Sequence, residues 1–189
     1  MYSDVHYAQV DYFCKKNSMK KEEIFPLVND SGEVIGSATR SECHSGTFLL
    51  HPVVHLHLLN NKEELYLQKR AINKDIQPGK WDTSVGGHVD FGENTIDALI
   101  REVREELGII KFQPVFMHRY KFTSDKETEL VNSFYTIYEG PIIPDPSEID
   151  EGRFWSLNEI EMNIGKSVFT PNFEFEFKLL LQNHLLPIK

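Results

Sequence analysis

The run from Gly87 to Ile109 constrains this chain more than any other: Gly-His-Val-Asp-Phe-Gly-Glu-Asn-Thr-Ile-Asp-Ala-Leu-Ile-Arg-Glu-Val-Arg-Glu-Glu-Leu-Gly-Ile. Gly86 and Gly87 predict a loop whose backbone can come close to a ligand. Asn94 reads as a helix N-cap with Asp97 in the first turn, and Gly108 as a C-terminal stop. Between them Ile96, Leu99, Ile100, Val103 and Leu107 recur at helical spacing and predict one apolar stripe. Glu102, Glu105 and Glu106 share another face, about 120° round at about 100° per residue. Three carboxylates so placed repel one another. A helix keeps them at low cost only against a cation, and hard oxygen ligands suit Mg²⁺ or Mn²⁺.

The rest of the chain is ordinary enough to make that run stand out. Its 189 residues, 40% hydrophobic and 26% charged, predict one soluble domain with a real core. A net charge of −9 argues against general affinity for nucleic acid or anionic membranes, while leaving room for a local basic pocket. No apolar run approaches the length of a membrane span. Cys14 and Cys43 are the only cysteines, which fits a reducing cytoplasm rather than a disulfide framework.

Residues 1–22 are polar and read as an N-terminal extension; residues 23–189 read as the domain. Within it, Glu23 to Arg40 has the pattern of a β-hairpin around Asn-Asp-Ser-Gly, with Pro26 marking an edge strand. Pro52 to Leu59 and Glu64 to Lys69 predict two paired strands. In the first, His51, Val53, His55 and His57 share one parity and Val54, Leu56 and Leu58 the other. A basic loop from Ala71 to Lys80 precedes a short strand over Trp81 to Val85. Further strands are expected over 112–122, 130–138 and 152–156, then a short helix over 157–163. A final helix opens at Thr170-Pro171, with Phe173, Phe175, Phe177, Leu179, Leu180 and Leu181 to bury. Strands, helix, strands, helix predict an α/β (α+β) domain, a mixed sheet between helices.

Gly87, Glu93, Arg101, Glu102, Val103, Glu105, Glu106, Gly108 and Ile109 match every fixed position of the Nudix box, Gly-x5-Glu-x7-Arg-Glu-U-x-Glu-Glu-x-Gly-U with U apolar. The chain thus resembles the Nudix superfamily, which implies the Nudix fold and hydrolysis of a phosphoanhydride. From Arg40 to Arg101, and closely over Trp81 to His88, it also resembles bacterial isopentenyl-diphosphate isomerases, which are Nudix-fold enzymes. That likeness implies a second metal site from His44, His51, His88, Glu127 and Glu129, and a diphosphate grip from Arg40, Arg70, Lys74 and Arg101. Imidazole ligands would favour Mn, Zn or Fe there over Mg. Two departures weigh against isomerase chemistry. The isomerases carry a Cys where this chain has Gly86, and a Trp where it has Asn172. A thiol proton donor cannot be replaced by glycine.

The Nudix resemblance implies that Glu105 and Glu106 ligate Mg²⁺ or Mn²⁺ together with the Gly86 carbonyl and Glu127 or Glu129. Glu102 would bind a further ion or activate the attacking water, and an Arg101–Glu93 ion pair would fix the helix. His55, His57, His118 and His184 read as structural. The expected partner is a small-molecule diphosphate, with neither nucleic acid nor membrane involved; the oligomeric state is open, a homodimer included. Three functions compete: a hydrolase of a diphosphate linked to another group such as a nucleoside, an isoprenoid-diphosphate isomerase, and a non-catalytic Nudix ligand sensor.

Overall fold

A computed structural model of the protein describes residues 22–74 and 76–188, so the expected extension lies outside the described residues except for Glu22. The elements follow the chain as β1 (Ile24–Val28), β2 (Val34–Thr39), α1 (Arg40–Cys43), β3 (Leu50–Leu59), β4 (Leu65–Arg70), β5 (Trp81–Asp82), β6 (Val85–His88), α2 (Thr95–Leu107), β7 (Val115–Thr123), β8 (Thr128–Ile137), β9 (Ile149–Trp155), α3 (Leu157–Asn163) and α4 (Pro171–Gln182).

β1 and β2 form the expected hairpin. The Asn29 side-chain oxygen accepts from the backbone N–H groups of Ser31 and Glu33, both at 3.0 Å, and Gly32 takes a φ of 82°. The other seven strands make a mixed sheet in which β5, β4, β3, β8 and β7 lie in that order, β6 pairs with β3, and β9 with β4. β3 is its central strand. It runs parallel to β8 over its whole length and antiparallel to β6, and nine of its ten residues are buried.

The parity of β3 sorts the layers. Val54, Leu56 and Leu58 face α2, packing with Val85, Leu99, Val103 and Leu107. On the opposite side α3 and α4 cover Leu59, Leu65, Leu67, Trp81 and Trp155 with Ile160, Phe173, Phe177 and Leu180. The sheet therefore lies between helices, as expected. Each large apolar side chain so buried contributes about 1.5–3 kcal/mol.

β3 and β4 pair only at Leu58↔Tyr66 and Leu59↔Leu65 before they diverge. Beyond that point β6 takes the edge of β3 and β5 takes the edge of β4. Ser84 stands at the fork: Leu58 N–H donates to its hydroxyl at 2.8 Å, and the hydroxyl donates to the Tyr66 carbonyl at 2.5 Å. The strand expected over Trp81 to Val85 is accordingly two, broken at Thr83 and Ser84, whose hydroxyls serve neighbouring carbonyls instead of a ladder.

Other expectations need correction. Gly86 and Gly87 lie within β6 rather than in a loop, because β3 supplies them with strand partners. α2 is capped as read, Asn94 accepting from the backbone N–H groups of Ile96 and Asp97 and Gly108 adopting φ 66°. Its buried face, however, is Ala98, Leu99, Val103, Glu106 and Leu107, while Ile96 and Ile100 are exposed. The sheet meets the helix on a line rotated toward Glu106. Likewise α4 buries Phe173, Glu176, Phe177 and Leu180, and leaves Phe175 exposed.

Candidate active site and metal centre

Glu102 and Glu106 point from α2 toward the fork in the sheet. Glu102 folds across Gly87, where a Cβ would overlap its carboxylate. Gly87 is thus needed for close approach and not for backbone freedom. Arg101 clamps this end of the helix. Its Nε and Nη2 donate to the two oxygens of Glu93 at 3.1 and 2.9 Å, and Nη2 also to the His88 carbonyl at 2.9 Å. Its Nη1 donates to Glu102 at 2.7 Å and reaches Glu105 at 3.5 Å. Glu106 is buried and accepts from the Gln68 amide at 3.0 Å. Burial pushes its carboxyl up to about 8, with the Glu102 charge adding to the effect. Burial likewise raises Glu102 to about 7, against the pull of Arg101. Glu105 is the exposed member of the trio. Neighbouring carboxylates in so little water ionise together readily only when a cation joins them.

Glu127 does not join that trio. It meets the three histidines on the α4 face of the sheet. One donor atom each from His44, His51, His88 and Glu127 lie within 4.8 Å of one another, the single such group of three or more found among the described residues. His44 Nε2 is 3.0 Å from Glu127 Oε2 and 3.1 Å from His88 Nε2. His44 arrives through α1, which the sequence reading missed. Thr39 and Glu42 form a capping box that starts this one-turn helix, and His44 is its C-cap. His88 stacks on Phe25, ring centroids 4.2 Å apart. His51 Nδ1 donates to the Leu49 carbonyl at 2.8 Å, which leaves the Nε2 lone pair free. That Nε2 and Glu127 Oε2 are buried with no hydrogen-bond partner. Burial holds both His51 and His88 below the ordinary imidazole value, His88 well below. Three imidazoles and one carboxylate with donor atoms converging in this way form a donor set that fits a transition metal.

Of the five residues expected at this second site, Glu129 is the one left out. It is adjacent along β8, but Asn172 Nδ2 donates to its carboxylate at 2.9 Å, and the Asn172 oxygen accepts from Tyr120 in turn at 2.9 Å. Burial raises Glu129 to about 7.

Besides Arg101, the other three cations expected at the diphosphate each have a carboxylate partner. Arg40 pairs with Glu23 at 2.9 Å and its Nη1 lies 3.4 Å from His88 Nδ1. Arg70 pairs with Asp82 at 3.4 Å and donates from Nε to the Ile76 carbonyl at 3.0 Å. Lys74 pairs with Glu148, and both lie close enough to influence Glu106. Glu148 was not singled out from the sequence, since it belongs to no motif.

A further group on the α4 face also escaped the sequence reading. His55 Nδ1 donates to Glu176 Oε2 at 2.7 Å, and His57 Nε2 lies 3.1 Å from Oε1 without hydrogen-bond alignment. Asp82 accepts from Thr170, the α4 cap, at 2.9 Å. Glu176 could have been suspected as the acidic residue of α4 that falls between Phe173 and Phe177 and Leu180 on its apolar face.

The NUDIX domain family matches residues 49–173. The isopentenyl-diphosphate Delta-isomerase of Paenarthrobacter aurescens is 30% identical over 90% of this chain and 97% of its own length. An uncharacterized Nudix hydrolase of Pseudomonas aeruginosa is 31% identical over 70% of this chain and 78% of its own. Among solved structures, that of DR0079 from Deinococcus radiodurans superposes with a TM-score of 0.74 at 23% identity, covering 83% of this chain and 98% of that one. The last likeness speaks for the fold.

Proposed function

This chain belongs to the Nudix family, in its isopentenyl-diphosphate isomerase-like branch, and from that premise we propose that it is a Mg²⁺- or Mn²⁺-dependent hydrolase. It cleaves the phosphoanhydride of a small molecule in which a diphosphate is linked to another group, of the nucleoside diphosphate kind. One observation carries the reading: Glu102, Glu105 and Glu106 stand together on α2 at the fork of the sheet, Glu102 and Glu105 held by Arg101 beside Gly87 and Glu106 by Gln68.

Glu102, Glu105, Glu106 and the Gly86 carbonyl would hold the catalytic divalent ions; His44, His51, His88 and Glu127 would hold a separate transition metal. When bound, a divalent ion neutralises the diphosphate and lowers the pKa of coordinated water. The chain's own residues do the rest. Arg101 fixes the helix to Glu93 and holds Glu102 by a 2.7 Å hydrogen bond, positioned to accept a proton from the attacking water. Arg40, Arg70 and Lys74 exchange their present carboxylate partners for phosphate oxygens, Arg as a planar fork and Lys as a point charge. Cys43, buried and unpaired, fits a reducing cytoplasm as the place of action.

The test is a panel of diphosphates with Mg²⁺ or Mn²⁺, read as released phosphate or nucleotide. Turnover of one member and its loss in Glu105→Gln and Glu106→Gln support the reading. No product from any member, at any metal concentration, refutes it.

A second reading has one observation in its favour, the four assembled ligands His44, His51, His88 and Glu127. It is isomerisation of isopentenyl diphosphate, which would incorporate deuterium from solvent. Gly86 offers no thiol for it, and no incorporation is expected.

A further inference from the structure

The glycine at position 86 has a different neighbourhood from Gly87. It faces the α4 side of the sheet, and a Cβ there would lie 3.6 Å from Thr83 Cγ2, and 3.6 and 3.7 Å from Cδ2 and Nε2 of His55. These are ordinary contacts, so a side chain would fit. The glycine leaves that room open beside the His55 ring. His55 is itself immobilised: it is buried, and its Nδ1–H is committed to Glu176 at 2.7 Å. Glu176 is fully buried on α4, so the ring cannot turn without breaking a buried ionic hydrogen bond. The other nitrogen, Nε2, makes no hydrogen bond among the described residues and is turned to the room beside Gly86.

Polar groups gather on the same side of the sheet. Thr83 lies beside His55, and Glu129, Asn172 and Tyr120 are joined in one hydrogen-bonded chain. The carboxylates of Glu129 and Asp82 lie close enough to His55 to favour its charged form. A hydrocarbon entering beside the ring would strip water from Nε2 and return no hydrogen bond to it. A hydroxyl has no such cost. It can donate to Nε2 or accept from it, whichever proton state the ring holds.

We propose that His55, oriented by Glu176 and uncovered by Gly86, is a specificity-determining residue that hydrogen-bonds a sugar hydroxyl of the substrate. The group attached to the diphosphate is then the ribose of a nucleoside and not an isoprenoid chain. This rests on the hydrolase reading for the position of the diphosphate, and names the side chain that reads its other half.

The experiment is equilibrium binding by calorimetry with Ca²⁺ in place of Mg²⁺ to slow turnover, using ADP, 2′,3′-dideoxy-ADP and isopentenyl diphosphate. The unaltered protein is expected to bind ADP at least tenfold more tightly than either of the others. Gly86→Val, whose side chain fills the room against the His55 ring and leaves the Nδ1–Glu176 bond on the ring's other nitrogen in place, should bring the three affinities within about twofold of one another, and His55→Gln should do the same. Equal affinities in the unaltered protein, or a preference for ADP that survives in both variants, overturns the proposal. Because binding needs no turnover, the result stands apart from the hydrolysis assay. A protein that binds ADP selectively through His55 but cleaves nothing would refute the hydrolase reading and keep this one.

Discussion

The carboxylate of Glu102 occupies the space that a Cβ on residue 87 would need. The overlapping atoms belong to the end of a flexible side chain, so the fold can accommodate a methyl there by moving the carboxylate aside. Gly87→Ala should therefore fold with a melting temperature within a few degrees of the unaltered protein. Displacing a reacting group by about 1 Å costs on the order of 100-fold in rate. The expected pattern is a fall in kcat of that size with little change in KM for the best substrate of the diphosphate panel. A fully active Gly87→Ala would show that Glu102 is not part of the chemistry.

Raised carboxyls tie metal binding to pH. Glu106 stands at about 8 and Glu102 at about 7, both pushed up by burial from an ordinary 4.5. A carboxyl raised in the folded state holds its proton longer there than in the unfolded chain. The metal-free protein thus loses stability as pH rises from 4.5 toward 8. Mg²⁺ or Mn²⁺ competes with those protons and should restore the loss. Thermal unfolding with and without Mn²⁺ is expected to show a larger metal-induced rise in Tm at pH 8 than at pH 5.5. In Glu106→Gln that pH dependence should weaken, leaving the part due to Glu102. A metal effect independent of pH would place the ion away from these residues.

The two metal-binding arrangements should separate by composition. His51 and Glu127 present buried, unpartnered donor atoms to one point. Elemental analysis of protein prepared without chelator is expected to find about one Mn, Zn or Fe per chain, in line with the preference of imidazole donors. His51→Ala and Glu127→Gln should each reduce this at least tenfold, whereas Glu105→Gln should retain it. Equal metal content in all four proteins would show that the histidines hold no ion.

How much of this could be read from the sequence depends on how local the determining contact is. The α2 caps were legible because Asn94 and Gly108 act on their own helix, and the turn after β1 because Asn29 closes it. The family was legible in the spacing of nine fixed positions. The face that α2 buries was not, because the sheet decides it, exposing Ile96 and Ile100 and covering Glu106. Glu127 and Glu129 sit two apart at the start of β8, the first just before the strand and the second in it, and looked equivalent as ligands. What separates them is Asn172, 43 residues further along the chain. The role of Glu176 was hidden for the same reason: its position on the apolar face of α4 was a signal, but its partner His55 is 121 residues away.

That distant pair sets the last expectation. Removing the charge of Glu176 leaves His55 without the counterion that lets it be charged while buried, a loss of about 3–5 kcal/mol for a buried ion pair. Burial alone would push His55 down, but the Glu176 carboxylate outweighs it and raises the ring from 6.5 to about 9. A histidine raised in this way contributes stability that is fully present below pH 6.5 and is lost as pH rises through 9. Glu176, buried but held well below its ordinary value by His57 and His55, contributes above pH 4.5 and loses that contribution as pH falls further. Denaturant unfolding of Glu176→Gln against the unaltered protein should therefore show its largest deficit between pH 4.5 and 6.5, shrinking toward pH 9. A deficit that stays constant across that range would mean that Glu176 serves packing alone and that His55 is never charged in the fold.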